Sequence, residues 1–207
     1  MSKIWSFFRL FWLAPLVMLL SSCYIPYGYL TKIEVAKDGR YELNFHGRLL
    51  SASFLSKIGK NEITSGTEEY EAEKLVHFNE LKRMGFSNIE YTFPASYEVK
   101  LDSKGNLFKE RMVAFPGRSG SLLVMKLLKD NRLVIESRRL NKKYIHQLES
   151  SNIQFVGNVV IWTDMPVSGH NADMIQPGNP DAYVWEMRSL SENPLQLIGT
   201  LGNTEGN

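Results

Sequence analysis

The architecture of this chain follows from one stretch, Leu30-Thr-Lys-Ile-Glu-Val-Ala-Lys-Asp-Gly-Arg-Tyr-Glu-Leu-Asn-Phe-His46. In its first half, apolar Ile33 and Val35 alternate with charged residues, and a similar alternation returns after the middle. Alternation with a period of two is typical of a half-buried β-strand. The pair Asp38-Gly39 between the halves is a strong signal for a tight hairpin turn. The stretch therefore predicts two antiparallel strands joined by that turn.

A long amphipathic helix is predicted further along the chain, over residues 68–84. Thr67 can cap its beginning, acidic residues fill its first turn, and a glycine follows its end. Leu75, Phe78 and Leu81 recur at intervals of three residues, which places them on one face of the helix. We expect that face to pack on a sheet.

The remaining segments complete the predicted fold. Residues 49–63 fit a strand or a short helix, a second short helix is expected at 142–149, and 163–181 is expected to be a long loop. Turns are expected at 102–105 and 129–132. Strand patterns lie at 88–93, 97–101, 122–128, 133–136, 153–162, 182–187 and 195–198. The predicted class is α+β, an antiparallel sheet of about six to eight strands with one long and one short helix packed on it.

The amino terminus has the features of an export signal. Lys3 and Arg9 precede an apolar run over residues 10–20, and two serines lead to Cys23, the single cysteine of the chain. The tetrad Leu20-Ser-Ser-Cys23 resembles the lipobox of bacterial lipoproteins. That resemblance implies a diacylglyceryl group on the Cys23 sulfur and removal of residues 1–22. The alternatives are an uncleaved membrane-spanning helix and a free or disulfide-bonded thiol.

The domain prediction follows from this terminus. Residues 1–22 are a cleaved signal, 23–29 a lipidated tether, 30–199 a single α+β domain and 200–207 a disordered tail. The protein is then lipid-anchored outside the cytoplasm. Lipoproteins retained at the inner membrane carry aspartate after the cysteine, and Tyr24 stands there instead. The outer membrane is favoured if the cell has two.

Charge argues against a nucleic-acid partner. The chain has 24 Lys and Arg against 22 Asp and Glu, and loss of Lys3 and Arg9 with the signal equalises the two counts. A nucleic-acid-binding domain needs a clustered basic face, and the charges here are interspersed.

The most polar cluster lies in the loop 163–173. Asp164, His170 and Asp173 are possible metal ligands, and Ser168 with His170 is a possible hydrolase pair. Their spacing matches no metal motif, and the pattern Gly-x-Ser-x-Gly is absent. We predict an ordered loop, no cofactor and no enzymatic activity, with a hydrolase or metal-dependent enzyme as the remaining alternative.

Two tryptophans fall in predicted strands, Trp162 at the end of one and Trp185 within another. They either fill a core or line an apolar cavity beneath the helix. The cavity interpretation predicts a pocket formed by Leu75, Phe78, Leu81, Trp162 and Trp185, and a non-enzymatic binding module for a lipid or envelope component. The alternative is a structural or assembly lipoprotein with a filled core and an exposed apolar patch, acting through a protein partner.

Short motifs resemble the LppM-type domain of small bacterial lipoproteins. They are the early turn Asp38-Gly39, the helix end Met84-Gly85, the segment from Pro166-Val167 to His170-Asn-Ala172, and a strand with Trp185. The resemblance implies an α+β cradle with a lipid or glycolipid cavity and no known catalysis.

Overall fold

The computed structural model describes residues 24–115, 123–137, 155–189 and 194–202, which form a seven-stranded sheet, a five-stranded sheet and three helices. The strands are β1 Tyr24–Val35, β2 Arg40–Ser51, β3 Ser87–Thr92, β4 Ser96–Asn106, β5 Met112–Phe115, β6 Leu123–Leu127, β7 Arg132–Ser137, β8 Gly157–Thr163, β9 Val167–His170, β10 Met174–Gln176, β11 Asp181–Met187 and β12 Gln196–Thr200. The helices are α1 Ala52–Gly59, α2 Glu68–Arg83 and α3 Leu107–Glu110.

The predicted hairpin is confirmed and lies in the middle of the seven-stranded sheet. Val35 of β1 pairs with Tyr41 of β2, and Gly39 in the turn has a φ of 82°, a conformation that glycine adopts without strain. The strand order is β10-β11-β8-β1-β2-β4-β3. β1 and β8 run parallel, so this sheet is mixed and the expectation of a wholly antiparallel sheet was wrong.

The prediction of a single sheet was also wrong, and the protein is more β-rich than expected. β5-β6-β7-β12-β9 form a second sheet whose buried side chains join the same core. The ring of Phe45 on β2 lies 4.8 Å from that of Phe115 on β5. Alternation of side chains shows that a strand has a buried face, but it does not show which strand is its neighbour.

Two expected irregular segments are partly strand. The predicted turn at 102–105 lies inside β4, where Asp102 and Lys104 pair with Asn44 and Glu42 of β2. The long pairing with β2 outweighs the local turn preference of Asp, Ser and Gly. The expected loop 163–181 contains β9 and β10. The short helix expected at 142–149 lies outside the described residues.

The long helix is confirmed as α2, but its buried face was predicted wrongly. The Thr67 hydroxyl caps it by accepting a hydrogen bond from the Tyr70 amide. Tyr70, His77 and Leu81 are buried, whereas Leu75 and Phe78 are 60% and 36% exposed. The buried residues of α2 are spaced by seven and then four residues, so they form a narrow stripe along the helix. Residues spaced by three, as in the prediction, turn progressively away from that stripe.

The expected tether is part of the folded domain. Residues 24–29 are the first half of β1, and Tyr24 and Ile25 are buried. At the other terminus Thr200 ends β12 and Leu201 is buried, so the ordered chain extends into the expected tail. Cys23, the signal 1–22 and residues 203–207 lie outside the described residues. Within the described residues, no helix is long and apolar enough to cross a membrane.

Candidate functional site

A groove of about 550 Å³ opens on the outer face of the seven-stranded sheet, beside the β1–β2 turn. Four neighbouring strands build its floor. Glu34 of β1 pairs with Trp162 of β8 on one side and Glu42 of β2 on the other, and Glu42 pairs with Lys104 of β4. Directly paired residues project from the same face of a sheet, so these four side chains form a row across it. Arg40 and Asp164 lie at the rim.

Ion pairs hold the charged side of the groove. Lys104 Nζ lies 2.7 Å from Glu42 Oε2, and this hydrogen bond lowers the pKa of Glu42 and raises the pKa of Lys104. At the rim Arg40 Nε lies 2.7 Å from Asp38 Oδ2, and the amide of Arg40 donates to the same carboxylate, which lowers the pKa of Asp38. Both carboxylates are therefore ionised at neutral pH.

The loop after β8 closes the groove against the hairpin turn. Asp164 Oδ1 accepts a hydrogen bond of 2.6 Å from the amide of Lys37. That bond joins two segments 127 residues apart in the chain. The half-buried ring of Trp162 forms the apolar wall. The arrangement suits a ligand with one apolar face and several polar groups, because few convergent polar groups around an aromatic surface are typical of small-ligand sites.

The structure does not bring the predicted pocket together. Trp162 lines the groove, but Trp185 pairs with Val159, three residues before Trp162 on β8, and therefore projects from the opposite face into the core. Leu81 is also in the core, whereas Leu75 and Phe78 are exposed on α2. A pocket shared by all five residues is therefore excluded by the alternation of β8.

Trp185 instead belongs to a polar link between the two sheets. Its indole Nε1 donates to Asn171 Oδ1 at 2.9 Å, and the same oxygen accepts from the amide of Gln196 at 2.7 Å. The Asn171 amide group donates to Pro194 O at 2.8 Å. The side chain of Asn171 thus connects β11 of one sheet with β12 of the other. This link between the two sheets is a structural role for Asn171 in the segment His170-Asn-Ala172.

The polar residues of the loop 163–173 each have a separate local partner. Asp173 accepts a hydrogen bond from the amide of Glu186, His170 accepts one from the amide of Ala172, and Ser168 donates to Ile198 O. Asp164 has the partner already described. Among the described residues, no three His, Cys, Asp or Glu side chains are grouped to hold a metal ion. The structure therefore shows neither the metal set nor the hydrolase pair that the loop suggested.

A buried polar network beneath α2 was missed by the sequence analysis. His77 Nδ1 lies 2.9 Å from Tyr24 Oη, and His77 Nε2 lies 3.2 Å from Ser51 Oγ. Tyr24 also donates to Glu80 Oε2 at 2.9 Å. Ser51 caps α1 by accepting from the amide of Phe54 and is fully buried, so a substrate has no access to its oxygen. The network fixes the beginning of β1 to α2.

Comparisons with known proteins complete the description. No protein family matches the chain, and no curated protein does either. Among solved structures, the chain is similar to the NMR structure of the folded domain of Mycobacterium tuberculosis LppM. The TM-score is 0.46 and the identity 10%, over 88% of this chain and 92% of the other.

Proposed function

We propose that this chain is a membrane-anchored lipoprotein of the cell envelope, held outside the cytoplasm by a lipid on Cys23, and a non-enzymatic binding module for a lipid or another envelope component. The signal-like residues 1–22 and the tetrad ending at Cys23 support the anchor. Where the cell has two membranes, Tyr24 after the cysteine favours the outer one. Two or three acyl chains, at about 0.8 kcal/mol per buried CH₂, give a lasting attachment.

The groove at Trp162 is the observation that carries the binding role. Its volume of about 550 Å³ falls within the range of small-molecule sites, which is roughly 300–1,000 Å³. Its position on the outer face leaves it open to ligand, whereas the buried side chains of both sheets pack into one hydrophobic core. The part of the ligand that it holds is a polar head with one apolar face, since an acyl chain would need an enclosed apolar space.

The charges of the groove narrow the ligand class. The groove has three carboxylates, those of Glu34, Glu42 and Asp164, and two cations, Arg40 and Lys104. Arg40 is already paired with Asp38, and Lys104 is already paired with Glu42. A strongly anionic group would meet an excess of negative charge there. The groove therefore favours a neutral or cationic head group with several hydrogen-bonding atoms.

Native mass spectrometry tests this role on residues 24–207, exported to a bacterial periplasm behind a signal that does not direct lipidation. We expect a retained small molecule that organic solvent removes, and its loss in Trp162→Ala. Leu75→Ala is the matched control, because Leu75 is exposed on α2 and is not among the residues that line the groove. A wild-type chain without added mass, or equal retention in Trp162→Ala, would contradict the binding role.

A second candidate function is assembly through a protein partner. Leu75 and Phe78 are three residues apart on α2 and both are exposed, so they are neighbours on an uncovered apolar surface. A photo-crosslinking residue at position 75 in cells would then capture one defined protein. A crosslinker at Lys32, on the outer face of the sheet, is the control that should not capture it.

A further inference from the structure

The beginning of β1 fixes where a lipid anchor meets the folded domain. Tyr24 is 4% exposed, pairs with Ser51 of β2 and is hydrogen-bonded to His77 and Glu80 of α2. Consecutive Cα atoms are about 3.8 Å apart, so a lipid on the preceding residue is attached one peptide unit from a fixed point. The domain then cannot stand away from the membrane on a long linker.

The same end of the sheet carries an exposed aromatic side chain. Ser51 donates its amide to Ala95 O at 2.9 Å, and Thr92 pairs with Ser96 across the β3–β4 turn. Phe93 in that turn is 68% exposed, more than any other large hydrophobic side chain among the described residues. Neighbouring strands are about 4.8 Å apart, so the turn lies about 10 Å from the beginning of β1. We call this end of the sheet, with Tyr24 and the turn 93–95, the anchored end.

The opposite end of the same strands is charged. The β1–β2 turn there contains Lys37 and Asp38, Arg40 begins β2, and the groove lies beside the turn. From Tyr24 to Glu34 the strand rises by about 3.3 Å per residue, which places the groove about 30 Å from the anchored end. The exposed ring of Phe93 thus lies near the anchor, whereas the groove and the charged residues beside it lie at the far end of the same strands, which we call the polar end.

We propose that the anchored end is a membrane-contact surface, at which Phe93 enters the bilayer that holds the Cys23 lipid, so that the groove faces away from that bilayer. This inference rests on the proposed function, since it takes the anchor as given. The contact needs little affinity of its own because the anchor makes it intramolecular. The groove then binds a component that reaches it from the side facing away from the membrane that holds the Cys23 lipid.

Site-specific fluorescence on the matured, lipidated full chain tests the orientation. Acylation occupies the Cys23 sulfur, so Phe93→Cys supplies a single thiol for the environment-sensitive dye nitrobenzoxadiazole. Lys37→Cys is the matched control at the polar end, where the side chain is also exposed. In vesicles of phosphatidylethanolamine and phosphatidylglycerol containing doxyl lipid, we expect quenching at position 93 at least about threefold stronger than at position 37.

Two results would overturn the inference, and they differ. Equal, weak quenching at both positions in protein that co-sediments with the vesicles would exclude the contact surface and leave the anchor intact. If neither labelled variant co-sediments, the anchor on Cys23 is absent and the contact surface is excluded with it. Both substitutions replace exposed side chains, so neither removes a core contact.

Discussion

His77 is a buried polar residue that contacts several elements of the fold. It faces Glu73 and Glu80 of its own helix, Tyr24 of β1, and the positive charge of Lys57 on α1. Its ring also stacks on Phe54 with 5.5 Å between the centroids. Burial lowers the pKa of His77, and this effect outweighs the two carboxylates, which act in the opposite direction. Folding therefore favours the neutral imidazole.

This pKa predicts that acidification destabilises the protein. The unfolded chain binds a proton at its ordinary His pKa of about 6.5, whereas the folded protein binds it only at lower pH. The His77 contribution to stability is therefore full above about pH 6.5 and is lost as the pH falls toward the lowered pKa of the folded state. Urea unfolding between about pH 7.5 and 5.5 should show the falling free energy of unfolding.

Two variants assign the pH effect to this residue. His77→Gln should lower the free energy of unfolding at neutral pH and flatten its dependence on pH. His46→Gln makes the same chemical change at an exposed position on the outer face and is the matched control. An unchanged slope in His77→Gln would show that other groups are responsible.

At the scale of the element, α2 allows a matched test of its buried and exposed faces. Leu81 is fully buried in the core, so Leu81→Ala removes apolar contacts and should lower the free energy of unfolding by about 2–5 kcal/mol. Leu75→Ala makes the same chemical change on the exposed face and should alter stability by less than about 0.5 kcal/mol. Equal losses in the two variants would mean that the helix packs through the face predicted from its sequence.

Local signals explain which elements the sequence revealed. The Asp38-Gly39 turn and the Thr67 cap act within a few residues, so the hairpin and the limits of α2 were predictable. The second sheet and the parallel pairing of β1 with β8 depend on contacts between distant segments, which carry no local signature. For the same reason the sequence placed Trp162 in a cavity beneath the helix, whereas the structure places it on the outer face. Its neighbours there are Glu34, Glu42 and Lys104, which the strand order brings together.

At the scale of the whole molecule, two polar sites are separated along β1: the buried network around His77 and the groove at Trp162. The network around His77 fixes the beginning of β1, and the groove lies at the other end of that strand. The proposed anchor and the groove therefore lie at opposite ends of β1. A change at Cys23 should alter where the protein is held without changing what the groove binds.

Replacement of Cys23 tests the anchor directly. Cys23→Ala removes the only sulfur that can receive a diacylglyceryl group, so we expect a full-length precursor without lipid, whereas the wild type loses residues 1–22 and gains acyl mass. Intact-protein mass spectrometry after membrane fractionation measures both changes. Ser21→Ala keeps a small residue before the cysteine and should mature normally. Cleavage and membrane attachment of Cys23→Ala would contradict the lipobox assignment. A wild-type protein that stays uncleaved in the membrane would instead support a spanning helix at the amino terminus.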